Sequence, residues 1–140
     1  MITKELLFKK TSLPAVEKSL DASMLRSKAI ANNIANINVP GYKRVEVAFE
    51  DDLKKALDKT KLKGVKTDQA HFDLGRPSIP KVHPKSYRPI DPSLPSGEND
   101  VDIDMENAKL AETQLLFNFG TRFAQERFSA IQQAIQGKNR

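Results

Sequence analysis

Cysteine is absent from the 140-residue chain, and so is tryptophan. The first absence excludes a disulfide scaffold and thiolate metal sites, and it is compatible with any redox compartment. The second comes with only two tyrosines and a hydrophobic content of 39%. That is little for a compact globule and leans toward elongated helices with polar connections. No run approaches the ~20 apolar residues of a membrane-spanning helix. The opening residues, Met1 to Lys10, hold no long apolar core and no small-residue cleavage site, so they do not read as a Sec signal peptide. A charge of one sign is also missing. The net charge is +5 and the pI near 9.5, but Lys and Arg are interleaved with Asp and Glu almost throughout. A solvated mixed-charge surface therefore outweighs nucleic-acid binding. No acidic pair in an apolar setting, glycine-rich phosphate loop or Ser-His-Asp context is present, so neither an enzyme nor a cofactor is expected. His71 and His83 lie twelve apart with no helical pairing, and no metal site is read from them.

What is there begins with one stretch, Ala31, Asn32, Asn33, Ile34, Ala35, Asn36, Ile37, Asn38, Val39, Pro40, Gly41, Tyr42 and Lys43. Asn is a poor helix former because it competes for its own backbone hydrogen bonds. Pro40 disfavours helical angles at Val39, and Gly41 is free to take a positive φ in a tight turn. Two readings fit. The stretch is a helix C-terminus with a Pro-Gly turn, or its Asn amides pair across a helix–helix interface and set the register.

Upstream, Leu6, Leu7 and Phe8 are available to dock on a partner. Ser12 and Pro14 suit a helix start. Leu13, Val16, Leu20, Met24, Ser27, Ile30, Ile34 and Ile37 then recur at three- and four-residue steps, a heptad-like stripe on a helix ~36 Å long. Residues 42–64 read as a short strand, Tyr42 to Phe49, and a short helix, Glu50 to Lys63, stopped by Gly64. Residues 65–99 hold six of the eight prolines between Pro77 and Pro95. That spacing predicts an extended, polyproline-like loop without helix or central strand. Asp100, Asp102 and Asp104 alternate, but the calcium-loop glycine and glutamate are missing. They read better as a helix entry, with Asp102 or Asp104 as cap. The last and longest periodic run is Met105 to about Gln136, ~48 Å as a helix. Met105, Ala108, Ala111, Leu115, Phe119 and Phe123 form one ridge. Leu110, Phe117, Ala124, Phe128, Ile131 and Ile135 form an adjoining one. Gly120 falls mid-helix, where a close crossing justifies it. Gly137 suits a C-terminal stop.

The fold expected is mainly α, with long N- and C-terminal helices paired as an antiparallel coiled-coil hairpin. Its irregular, Pro-rich middle has room for a short helix or β-hairpin. Four segments follow: 1–41, 42–64, 65–99 and 100–140. One hairpin partner covers about one ridge of the last helix. The second ridge stays exposed as an association surface, and a head-to-tail contact of that kind builds open helical assemblies.

The Asn-rich turn closely resembles the N-terminal motif of the flagellar axial proteins, A-N-N-[IL]-A-N-x-x-T-P-G-Y-K, with Val39 standing where the family usually has Thr. The stretch Asn99 to Asn118 is similar to the proximal branch of the flagellar basal-body rod protein family, N-N-V-D-L-E-x-E-M…A-x-x-Q-x-x-Y, with Phe117 where that branch often has Tyr. The resemblance covers roughly residues 12–47 and 97–137. It implies a structural subunit of the proximal flagellar rod that assembles helically, transmits torque and lines the export channel. It implies a periplasmic place in the basal body, reached by type III export without a cleavable signal. The implied partners are copies of itself, other rod proteins, the adaptor FliE, and possible contacts with the export gate and the MS ring. The alternatives are another rod subunit of the family, or a cytoplasmic helical-hairpin adaptor for a single protein.

Overall fold

The computed structural model describes residues 12–58, 64, 68, 75, 77–90 and 98–137. Helix α1 spans Leu13–Ala35, with Pro14 in its first turn, where a missing N–H leaves nothing unpaired. Strand β1, Glu46–Ala48, leads directly into helix α2, Glu50–Leu57. A 3-10 turn, Ile79–Lys81, precedes strand β2, Lys85–Tyr87. Helix α3 then runs over Ile103–Gln136. Asp102 caps it, its carboxylate accepting from the Asp104 and Met105 N–H groups at 2.9 and 3.2 Å. Asp104 and Glu106 add negative charge to its first turn, where the helix dipole favours it. Gly137 closes the helix in the left-handed region, φ 66°.

The fold is mainly helical. Helices α1 and α3 pack antiparallel, Asn33 of one meeting Glu106 of the other and Leu20 meeting Gly120. The seam on α3 follows heptad steps. Glu106 and Thr113 are buried, while Leu110, Phe117, Gly120, Ala124 and Ile131 are half-buried at the alternating positions. Gly120 sits on this seam because its neighbour is close. A Cβ there would lie 3.0 Å from Leu20 Cδ2. The small polar residues of the seam satisfy themselves. Ser23 Oγ donates to the Ser19 carbonyl at 3.0 Å, and Thr113 Oγ1 to that of Lys109 at 2.7 Å.

The middle of the chain packs on α1. Ala22 meets Phe49, Ala56 and Val82, flanked by Leu53 and Ile79. Strands β1 and β2 pair antiparallel, Glu46 opposite Tyr87 and Ala48 opposite Lys85. Arg26 staples this layer to α1, donating to Glu50 Oε1 at 2.7 Å and the Val47 carbonyl at 3.3 Å.

Three local expectations are corrected. The second helix stops at Leu57, short of the expected Lys63, with Asp58 extended at ψ 102°; Asp58 leaves the helical region, so the helix ends there whatever apolar spacing follows. The proline-rich region is not featureless. Pro80 fits the 3-10 turn, whose first positions tolerate its fixed φ, and β2 is an edge strand between Pro84 and Pro89. Ser12 stands at the start of α1, but its side chain makes no cap bond, and only its carbonyl accepts, from Ala15 and Val16.

Candidate functional site

The Asn-rich stretch ends α1 and turns the chain back along α3. Its residues divide sharply. Ala31, Asn32 and Ala35 are exposed, Ile34 and Asn36 are half-buried, and Asn33 has 0% of its surface accessible. Asn33 spends its whole amide. Nδ2 donates to the Val45 carbonyl at 2.9 Å and to Glu106 Oε2 at 3.0 Å. Oδ1 accepts from the Val45 N–H at 2.9 Å and the Tyr42 hydroxyl at 3.2 Å. One side chain thus ties the end of α1, the outgoing strand and the start of α3. Asn36 closes the helix locally, its Nδ2 donating to the Asn32 carbonyl at 2.7 Å.

The turn itself is held from outside. Pro40 and Gly41 occupy the two central positions, Gly41 at φ 71°, and the Tyr42 N–H donates to the Val39 carbonyl at 3.3 Å. That is a type II arrangement, which requires a positive φ at its third residue. Asn99 then covers the helix end, its Nδ2 donating to the carbonyls of Asn36, Ile37 and Val39 at 2.9, 2.8 and 2.9 Å. Asp100 Oδ1 accepts the Arg44 N–H at 2.6 Å. Lys43 Nζ donates to the Glu98 carbonyl at 3.0 Å. Pro40 and Gly41 are exposed, whereas Tyr42 and Lys43 are half-buried.

A second cluster lies one layer away. Glu46 accepts from Lys109 Nζ at 2.8 Å and from the Tyr87 hydroxyl at 3.0 Å. Arg44 Nε lies 3.4 Å from the same carboxylate, an ion pair without an aligned hydrogen bond. The Lys109 hydrogen bond, chiefly, holds the Glu46 carboxyl below its usual range, against the opposing effect of burial. The hydrogen bond that Tyr87 donates to Glu46 pushes the Tyr87 hydroxyl up. For Glu50, burial works upward but is outweighed by the hydrogen bond from Arg26 and by backbone donors, so its carboxyl also sits low.

The apolar stripes read from the sequence separate in space. On α1, Leu13 and Ile30 are buried, Val16 and Leu20 are half-buried, and Met24 is exposed; Ile37, just beyond the helix, is half-buried. On α3, Phe117, Phe123 and Ile131 are half-buried. Met105, Ala108, Ala111, Leu115, Phe119, Phe128 and Ile135 are exposed, with Phe119 at 72% and Leu115 at 71%. Beside Phe119 runs an apolar groove of about 380 Å³, lined among others by Val16, Leu20, Phe49, Leu53 and Leu116. Arg127 lies over the Phe123 ring, 4.9 Å from its centre. Sequence reasoning missed Glu106, Thr113, Asn99, Asp100, Glu46 and Lys109. The heptad steps from Phe117 pointed to Glu106 and Thr113, but polar residue types hid them. Asp100 was read only as part of a helix entry and Asn99 only within the resemblance, and nothing local marked Glu46, Lys109 or the long-range contacts of any of the four.

Among the described residues, no His, Cys, Asp or Glu cluster suits a metal ion, and no helix is long and apolar enough to cross a membrane. The arrangement is a helical hairpin, polar at its closing end and apolar on its outer face. A family model described as Flagella basal body rod protein matches residues 21–43, the second half of α1 and the turn. The chain is 32% identical over 117 residues to the flagellar basal body rod protein FlgB of Borreliella burgdorferi, covering 80% of this chain and 86% of the relative. It is 28% identical over 125 residues to that of Bacillus subtilis, covering 87% and 91%. It is 28% identical over 128 residues to that of Salmonella typhimurium, covering 88% and 91%. The chain belongs to the FlgB family of flagellar basal body rod proteins.

Proposed function

We propose that the chain is a structural subunit of the flagellar basal-body rod, at its proximal end, packing helically with copies of itself and with other rod proteins. The observation that carries the reading is the outward apolar face of α3. Leu115, Leu116 and Phe119 are exposed, and Met24 of α1 is exposed as well. Large exposed apolar surface is costly unless a partner covers it. The adjoining groove between the helices and α2 is shaped to receive such a ridge. Contact between a ridge on one molecule and a groove on the next is heterologous and leaves both open for further copies, the condition for a helical assembly. The family membership supports a rod over a single-partner adaptor.

In this role the helix pair carries torque through side-by-side packing and lines the export channel. The adaptor FliE, the MS ring and the export gate are the neighbours at the proximal end. The place of work is periplasmic, reached through the flagellar export pathway. The role is architectural and calls for no catalysis. The test is the double variant Leu115→Ser/Phe119→Ser. Both sites are largely exposed in the single chain, so its unfolding free energy should change by no more than about 0.5 kcal/mol. Co-fractionation with basal bodies, polymerisation and motility should be lost. A variant that still enters the rod at wild-type levels refutes the assignment of this face.

A further inference from the structure

The exposed face of α3 is self-complementary. Glu112, Leu115, Phe119 and Arg122 follow one another at steps of three, four and three residues. At 3.6 residues per turn those steps keep all four within about 80° of one another, on one stripe about 15 Å long. All four are exposed, Leu115 at 71% and Phe119 at 72%. The seam that buries Glu106 and Thr113 uses other positions. The charges at the two ends of the stripe are idle. Among the described residues neither Glu112 nor Arg122 is held in an ion pair or a side-chain hydrogen bond, whereas Lys109, one turn before Glu112, is taken up by Glu46 at 2.8 Å.

The order along the stripe is acid, apolar, apolar, base, with equal spacing outward from its centre. A second copy laid alongside in reverse therefore brings Glu112 of each chain onto Arg122 of the other, and Leu115 of each onto Phe119 of the other. A parallel pair sets acid on acid and base on base, which is repulsive. We propose that this stripe pairs two copies of the chain antiparallel about a two-fold axis, and that the pair is the resting form of the free subunit. Phe119 also stands at the edge of the apolar groove, so Leu115 of the second copy arrives beside it. The inference goes beyond the rod reading: it shares that face but not the symmetry of the contact. An isologous contact closes at two copies, whereas a head-to-tail contact stays open. The pair thus withholds Leu115 and Phe119 from growth outside the rod, and it must open before the rod contact forms. One stripe of three turns covers less than the ~1,200 Å² of a standard interface. The pair is therefore weak, on the order of micromolar, as suits a contact that has to be released.

The test is sedimentation velocity of the full chain from about 1 to 100 µM, spanning that range, beside the single variants Glu112→Arg and Arg122→Glu. The unaltered chain should show monomer and dimer and nothing larger. Each variant places two like-charged pairs across the axis and should weaken dimerisation by about ten- to a hundredfold. An equal mixture of the two variants should regain a dimer, because every charge then meets its opposite. Both positions are exposed, so helix content by circular dichroism should not change. Orientation is read by disulfide exchange in this cysteine-free chain. A mixture of Glu112→Cys and Arg122→Cys chains should link chiefly to each other. Self-linked products as the majority mean a parallel pair and overturn the proposal. It is also overturned by an unaltered chain that stays monomeric or grows into open polymers, by single variants that dimerise as well as the unaltered chain, or by a mixture that does not recover. Co-fractionation with basal bodies reads the rod assignment separately, so a chain that enters the rod yet never forms this pair refutes this inference alone.

Discussion

Replacing Asn33 by Ala should be the most damaging single change in the Asn-rich turn. The substitution strands the Val45 N–H and carbonyl, both bonded to the Asn33 amide at 2.9 Å, and takes a 3.0 Å hydrogen bond from buried Glu106. The Tyr42 hydroxyl is half-buried and can turn to water, so it adds little. A buried polar group left without a partner costs about 1–3 kcal/mol. Val45 is only half-buried, so its two groups count at the low end, and with a weakened Glu106 the loss is about 2–4 kcal/mol, a large share of the ~5–15 kcal/mol that holds a typical domain folded. The assay is urea unfolding of the monomer followed by helix content. With a slope of about 1–3 kcal/mol per molar urea, the midpoint should fall by about 2 M. Asn32→Ala is the internal control. Asn32 is exposed, and Ala is the better helix former, so its midpoint should hold or rise slightly. Asn33→Asp keeps the shape but removes both donors and sets a carboxylate against Glu106, so it should do at least as much harm as Asn33→Ala. Equal midpoints for the Asn32 and Asn33 variants would refute the claim that one amide organises the closing end of the hairpin.

Two further outcomes follow from the packing and the charges. Gly120→Ala should be nearly neutral in thermal unfolding, since about 1 kcal/mol of helix propensity is set against a Cβ only 3.0 Å from Leu20 Cδ2. Gly120→Val, which has no comparable gain and more bulk, should lower stability by about 1–3 kcal/mol. The Glu46 carboxyl titrates below its ordinary 4.5 in the folded chain, so its contribution is whole above about pH 4.5 and is lost as pH falls through the depressed folded value. The unfolding midpoint should therefore drop on acidification below that point, and Glu46→Gln should blunt the drop; an unchanged acid profile in that variant removes Glu46 from the account.

How far the sequence went differs from element to element. The two long helices were legible because their apolar residues keep helical spacing over many turns and their ends carry local signals: Pro14 at the start of α1, Asp102 and Gly137 at the two ends of α3. The Pro40-Gly41 turn was legible for the same reason, as its backbone demands belong to two adjacent residues. Asn33 was within the predicted motif, but four asparagines there looked alike, and only burial singles one out. The partners of that residue come from Val45 and from Glu106, which is 73 positions away. No local pattern reports such a distance.

The same limit explains the ridges of α3. Spacing alone allowed the phenylalanines to face either way. The contact with α1 selects the line through Glu106, Thr113, Phe117 and Gly120, which leaves Leu115 and Phe119 largely exposed. Local chemistry, then, determined where the chain is helical and where it turns, because those preferences are set by a residue and its near neighbours. Which apolar face is hidden, which asparagine becomes the tie, and how Glu46 meets Lys109 were decided only when distant segments came together, because burial and polar pairing are properties of a pair and not of a stretch.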